Sequence, residues 1–506
     1  MNKYPLIIIL AAGLILASCG KKTPEFVNSI PDDAIAVASL HPMEIYKKGK
    51  LNTLQNLKAK VKGEVWKQLL EDPLSSGLML DEYTYVFIKM EEEAPVFGVV
   101  SGMKDTGKFE SILKKIREDI SAEFVKAGGY TYVRPDEDGI IGWNREQMVV
   151  LATPDGEEFD LKYLTGTLDT MFHPVKEASI TSMVDFKDFL GDMKDLNVWV
   201  SSNDLRKFLE KAMEKDSVKI DLPVEFTNNY ARAYCEFENG KMLVTGETRF
   251  SEEVKKNLEQ VLVMNPSLNK KMLESAPGGD LLLAVAGSMD LKKLQRIVKS
   301  IPTEKLGETG EKVEAVTGIP AEELLDALTG DFTISVNGTT GENMFPVELF
   351  VGLGVNNEVL QEKLMERVGN IIPVDQQKDF FIINVQGNEI YSGITDDIWT
   401  LTNSKGYRDA VSGGNIENSL LDSKFKDFSG GSVGLYLNMD ASAYPASIQQ
   451  MFNRNPQQKK WLDYMSESFK YLGVSAGNYS GSALLETSKP NENSLYTILK
   501  MTDIKE

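Results

Sequence analysis

Residues 83–100 read YTYVFIKMEEEAPVFGVV. Two runs of aromatic and β-branched residues flank an acidic tip, which predicts a strand, a hairpin turn and a second strand. Residues 332–351, FTISVNGTTGENMFPVELFV, follow the same plan around a glycine-containing tip. Each block runs into a helical pattern behind a side chain able to cap it: Asp105 before Phe109-Glu-Ser-Ile-Leu-Lys-Lys-Ile, and Asn356 before Leu360-Gln-Glu-Lys-Leu-Met. The displacement is 251 residues at Pro95/Pro346 and again at Asp105/Asn356.

Further matches keep that order. Ile140-Ile-Gly-Trp-Asn-Arg-Glu-Gln-Met-Val-Val-Leu aligns with Ile390-Tyr-Ser-Gly-Ile-Thr-Asp-Asp-Ile-Trp-Thr-Leu at a shift of 250, and Gly156 and Gly406 close both blocks. Upstream, Asp33-Ala-Ile-Ala-Val-Ala-Ser-Leu matches Asp280-Leu-Leu-Leu-Ala-Val-Ala-Gly at 247. Downstream, Phe-Lys-Asp-Phe occurs at 186–189 and at 425–428, followed by Val198-Trp-Val-Ser and Leu435-Tyr-Leu-Asn. Five blocks in one order predict an internal duplication. The expected class is α+β, with two tandem halves at 27–265 and 266–506, each a largely antiparallel sheet with packed helices. The seam is placed where the helix-like run Ser251–Leu262 stops, near Asn265-Pro266. On a helix the two phenylalanines of each Phe-Lys-Asp-Phe share a face, so the tetrapeptide is expected to be a core pair with a solvated edge. Residues 300–312 are charged and contain glycine, and read as a loop.

The N-terminus carries a different signal. Residues 1–18, MNKYPLIIILAAGLILAS, combine Lys3 with an apolar run from Leu6 to Leu16, too short to span a bilayer and suited to a cleaved signal peptide. Leu16-Ala17-Ser18-Cys19 resembles the bacterial lipobox, which implies lipidation of Cys19. Residues 19–26 then form a tether. The eleven residues from Cys19 to Ile30 reach roughly 40 Å at most, so the body is expected close to its membrane. Loss of Lys3 leaves 54 basic against 75 acidic residues, a charge of −21, which disfavours nucleic acid and anionic headgroups as partners. With 42% hydrophobic and 26% charged residues the chain reads as globular. With Cys19 modified, Cys235 has no disulfide partner; strand patterning in YARAYCEFENG sets Ala231, Ala233, Cys235 and Phe237 on the less polar face, where a buried thiol is expected.

Motifs that could carry chemistry fail on context. Gly430-Gly-Ser432-Val-Gly434 and Gly473-Val-Ser475-Ala-Gly477 have the nucleophile-elbow spacing, but a strand follows Ser432 and no histidine follows His173. His41 and His173, both before proline, read as turn residues and cannot assemble a zinc site. Ser101-Gly-Met-Lys104 leaves a strand rather than opening a helix, and Gly352-Leu-Gly354 is one glycine short of a dinucleotide fingerprint. Asp136-Glu-Asp138-Gly139 places its glycine too early for a calcium loop, and it and Glu91-Glu-Glu93 read as hairpin tips. No catalytic, cofactor or metal residue is therefore assigned; lipidated Cys19 is the one modification site.

The lipobox, Ile30-Pro-Asp-Asp-Ala-Ile-Ala-Val-Ala-Ser and Asp72-Pro-Leu-Ser-Ser-Gly-Leu-Met-Leu-Asp-Glu-Tyr-Thr-Tyr-Val-Phe together resemble an uncharacterised Bacteroidetes lipoprotein family, a domain of unknown function numbered four-eight-three-six. The resemblance covers nearly the whole mature chain and implies an envelope location, with no catalytic or binding residue to carry across. Gly20-Lys21-Lys22 after the cysteine, with neither an aspartate nor an acid-rich tract, points to the outer membrane facing the periplasm. The expectation is a non-enzymatic envelope lipoprotein, a scaffold or protein-interaction component held to the membrane by its lipid. The alternative is a ligand-binding lipoprotein using a cleft between the halves, its small-molecule ligand unknown.

Overall fold

Period-two alternation of side chains builds the described strands into antiparallel ladders. The computed structural model describes residues 23–91, 94–116, 123–135, 139–153, 161–201, 229–259, 262–300, 314–315, 318–339, 346–377, 380–385, 387–413, 416–452 and 456–501. Expectations for the signal peptide, Cys19, most of the tether, Glu92-Glu93, Asp136–Asp138, Gly156 and the loop at 301–312 lie outside the described residues. Two units pack separately, Met1–Tyr234 and Cys235–Glu506.

In the first unit the strands are β1 (Ala34–Leu40), β2 (Thr84–Glu91), β3 (Ala94–Gly102), β4 (Val125–Ala127), β5 (Tyr130–Val133), β6 (Gly139–Trp143), β7 (Gln147–Ala152) and β8 (Leu196–Ser201). They join in the order β4-β5-β6-β7-β3-β2-β1-β8, every neighbour antiparallel. The hairpin at 83–100 is β2–β3, with Phe87 opposite Gly98. One sheet face buries Val37, Tyr85, Phe87, Val149, Leu151 and Trp199. The helices Leu161–Phe172 and Val184–Gly191 supply Leu164, Leu168, Phe186 and Phe189 to that core. A second core joins Phe109 and Leu113, from the helix Thr106–Ile116, to Met103, Trp143 and Met148. Asp105 caps that helix as expected, its carboxylate accepting from Lys108 N at 3.0 Å.

β9 (Tyr230–Glu238) crosses the division between the units. The second unit contains β10 (Lys241–Arg249), β11 (Leu281–Ser288), β12 (Leu328–Gly338), β13 (Val347–Val355), β14 (Val374–Gln377), β15 (Phe380–Val385), β16 (Asn388–Thr395), β17 (Ile398–Thr402), β18 (Val433–Asn438), β19 (Phe469–Ala476) and β20 (Ser480–Thr487). Their order is β14-β15-β16-β17-β13-β12-β11-β18-β19-β20-β10, again antiparallel throughout. From β14 to β18 this repeats the first unit's order strand for strand. The packing division falls ahead of the expected sequence seam at 265/266 because β10 forms its ladder with β20.

The four phenylalanines of the repeated Phe-Lys-Asp-Phe are all buried. The first copy lies in an α-helix and the second in the 3₁₀ helix Lys424–Phe428, and i,i+3 spacing keeps both rings on one side in either geometry. Phe186 meets Trp199 edge-on at 5.5 Å, and Phe189 stacks on Tyr234 at 5.7 Å.

Two local expectations change. The helix Val359–Gly369 starts after Glu358 with no side-chain cap, Asn357 accepting from Val359 N in the turn before it; Asn356 donates to the carbonyls of Asp326 and Leu328. The start of β9 is inverted, with Tyr230 and Arg232 turned inward and Ala231, Ala233 and Cys235 half-buried, while Phe237 is buried as expected. Arg232 goes in because charge-assisted partners meet it there: Asp192 at 3.2 Å, the Asp188 carbonyl at 3.3 Å and the Tyr234 ring.

Candidate functional site

An antiparallel sheet with one face on a core usually turns polar side chains outward. The second unit does not. Its ladder registers place Val351, Ile334, Val285, Leu435, Val474 and Ala483 directly side by side across β13-β12-β11-β18-β19-β20. A parallel row, Val336, Leu283, Leu437, Leu472, Leu485 and Met242, runs across β12-β11-β18-β19-β20-β10. All twelve are half-buried while the alternate residues on these strands point to the cores, so the rows form the outer face. Leu349 extends the second row onto β13 and is 41% exposed. No residue in either row can hydrogen-bond through its side chain. The first unit repeats the device on a smaller scale, with Val198, Ala38, Val86 and Val99 in one register line and Phe97, 40% exposed, in the next; Val150, which continues the line, packs against the second core.

Polar groups gather elsewhere in the second unit. A cavity of about 780 Å³ opens beside Asp280, Asp422, Lys424, Tyr436, Asn438 and Tyr444. Lys424, next to the second Phe-Lys-Asp-Phe phenylalanine, pairs with Asp427 at 2.8 Å and lies over the Tyr471 ring. Tyr471 donates to Glu486, which also accepts from Lys470. Burial raises the Tyr436 and Tyr444 hydroxyl pKa values, so both are neutral donors at neutral pH. This lining can hydrogen-bond a polar solute. Among the described residues no group of three or more His, Cys, Asp or Glu is arranged to hold a metal ion. No described helix is long and apolar enough to cross a membrane.

The family model for a domain of unknown function, DUF4836, matches residues 26–495. The chain belongs to the DUF4836 family. No curated protein matches it. Among solved structures, crystal form I of TP0453 is similar at 11% identity and a TM-score of 0.28, covering 49% of this chain and 90% of that one. Crystal form IV of TP0453 stands at 10% and 0.29, with 48% and 87% covered.

The DUF4836 chain uses its apparent motifs for packing. Ser432 is fully buried and donates to the Asn265 carbonyl. A Cβ on Gly434 would meet the Phe425 ring, and one on Gly473 would lie 2.0 Å from Phe428 Cζ. The two Gly-x-Ser-x-Gly runs therefore seat the two phenylalanines of Phe-Lys-Asp-Phe, and they pair with each other in the β18–β19 ladder. His41 caps the helix Pro42–Gly49 by accepting from Glu44 N, and His173 sits exposed at a helix end against Asp169. Ser101 is buried within β3 and hydrogen-bonds Thr84. Gly354 leaves room for the Thr329 side chain. The outer rows and Lys424 were not singled out from the sequence. Their signal was there: Leu281–Ala286 reads LLLAVA, and an unbroken apolar run means that both faces of a strand are apolar.

Proposed function

We propose that this DUF4836 chain is a cell-envelope lipoprotein of non-enzymatic type, an interaction or scaffold component held at the membrane surface by lipid on Cys19. It works by contact rather than by reaction. The observation that carries this reading is the pair of aliphatic rows on the second unit, an apolar patch of the size that on soluble proteins often serves binding. The lipobox and its short tether support the anchor, and Gly20-Lys21-Lys22 supports the periplasmic face of the outer membrane. The matching strand orders, together with the five sequence blocks, support a tandem duplication with its seam at 265/266. The acidic chain makes nucleic acid an unsuitable partner.

Envelope fractionation tests the anchor. The protein is expected in the membrane fraction, and Cys19→Ser is expected to lose the lipid and to accumulate as the unprocessed precursor. A wild-type protein found wholly soluble, or processed at a site other than Cys19, sinks the reading.

A further inference from the structure

We infer that the outer face of the second unit is a binding surface for the acyl chains of anionic membrane phospholipid. The inference rests on the reading of the chain as a membrane-held contact protein and names what is contacted.

Three observations choose this occupant. The first is chemistry. Protein interfaces carry about one hydrogen bond per 100–200 Å² and are enriched in Tyr, Trp and Arg, whereas the rows through Val285 and Leu283 offer aliphatic carbon only. The backbone groups beneath are already committed to the ladders, so nothing directional remains for a polypeptide to read. Hydrocarbon needs nothing directional.

The second is size. Six strands at about 4.8 Å spacing by two rows of side chains make a strip of roughly 300–400 Å². That is about half of the roughly 800 Å² per partner that a stable dimer buries, and a second copy would also bring a chain of net charge −20 against its like. The furrow between the rows runs about 24 Å across the strands. A lipid chain reaching through one leaflet, roughly 15 Å, fits within it.

The third is charge. The helix Leu291–Ser300 starts three residues beyond β11 and packs against β12. It reads LKKLQRIVKS, with Lys292 and Arg296 exposed. With Lys293 engaged by Asp290 and Gln295 by Asp326 of the helix Ala321–Ala327, Lys292 and Arg296 are the groups this helix offers a phosphate headgroup, at the end of the strands that carry the rows. The acidic total argued against anionic headgroups at the level of the whole chain; this helix is the local exception.

The test uses the mature chain from Gly20, so that neither an acyl chain of its own nor the apolar run Leu6–Leu16 competes. The probe is phosphatidylglycerol carrying a photoreactive diazirine in one acyl chain, in phosphatidylethanolamine vesicles, with crosslinks mapped by peptide mass spectrometry. Crosslinks are expected to concentrate on β11, β18 and β19, and to fall at least tenfold in Val285→Lys/Val474→Lys. The wild-type map is informative even if that variant folds poorly. As a further check that leaves the sheet untouched, Lys292→Glu/Arg296→Glu is expected to lower vesicle binding severalfold at low salt and to flatten its salt dependence. Crosslinks spread evenly over the chain overturn the inference. So does a dimer, seen by ultracentrifugation without lipid, that Val285→Lys/Val474→Lys splits, because a second copy then occupies the face. Fractionation of wild type against Cys19→Ser is read separately. A failed anchor with an intact crosslink map removes only the envelope reading, and an intact anchor with a diffuse map removes only the lipid contact.

Discussion

Tyr471 and Glu486 are register partners across the β19–β20 ladder, and the Tyr471 hydroxyl donates to Glu486 Oε2 at 2.6 Å. The bond contributes to the titration of both groups. For Glu486, burial alone would favour the neutral acid. Hydrogen bonds from Tyr471 and Lys470, with the positive charges of Lys470 and Lys424, outweigh it and hold the carboxyl below its ordinary value. A depressed carboxylate contributes stability above its unfolded pKa of about 4.5, and this is lost as pH falls through the folded value. Glu486→Gln is therefore expected to flatten the fall of Tm below pH 4.5. Calorimetry of both proteins from pH 3 to 6 checks it, and parallel curves refute it.

The alkaline side belongs to Tyr471 itself. Burial first, then the bond to Glu486 and its charge, push the hydroxyl up to about 12. A raised tyrosine contributes stability that is fully present below its unfolded pKa of 10 and is lost as pH climbs towards the folded value. Between pH 10 and 12 the wild type should lose Tm more steeply than Tyr471→Phe. An equal loss in both proteins means that other groups govern that range.

Glycines beneath aromatic rings should resist any side chain. At Gly473 the Phe428 ring occupies the space of a Cβ, and at Gly98 the Phe87 ring does the same. Gly473→Ala is expected to cost about 1–3 kcal/mol through overpacking. Gly166 is exposed in the helix Leu161–Phe172 with nothing within 4 Å of a Cβ, and Gly166→Ala should gain up to about 1 kcal/mol. Urea unfolding of both variants decides, and the opposite ordering contradicts the packing described.

Buried hydroxyls on β12 form another weak point. Thr333 and Ser335 are fully buried on the core side, and neither Thr333 Oγ1 nor Ser335 Oγ has a hydrogen-bond partner among the described residues. Their register counterparts in the first unit are Tyr85 and Phe87. Thr333→Val keeps the shape and removes an unsatisfied donor, so stability should rise by about 1 kcal/mol. A drop in Tm would mean that the hydroxyl is satisfied by bound water.

Much of the fold was legible because it is written in short-range patterns. The hairpins at 83–100 and 332–351 follow alternation and turn chemistry, and the cap at Asp105 follows side-chain reach. What escaped depends on distant partners. Arg232 looked like a surface residue because only the fold brings Asp192 and the Asp188 carbonyl to it. The outer rows were hidden for the same reason: Leu437 and Leu472 become neighbours only through the β18–β19 register. The Phe-Lys-Asp-Phe pairs were readable as core, but their glycine seats on β18 and β19 were not, since a glycine in a sequence does not say which ring will cover it.

The β10–β20 ladder has a bearing on how the chain can be cut. A fragment begun at the sequence seam, 266–506, loses β10 and leaves the long edge of β20 from Ser480 to Glu486 with open N–H and C=O groups. Such an edge recruits a replacement strand. In isolation the fragment should self-associate through β20, and a peptide spanning Lys241–Arg249 should return it to a monomer in size-exclusion chromatography. Begun at Cys235, the fragment keeps β10 along β20, so the peptide should find no open β20 edge to fill. The proposed repeat and the packed unit are thus offset by one strand hairpin.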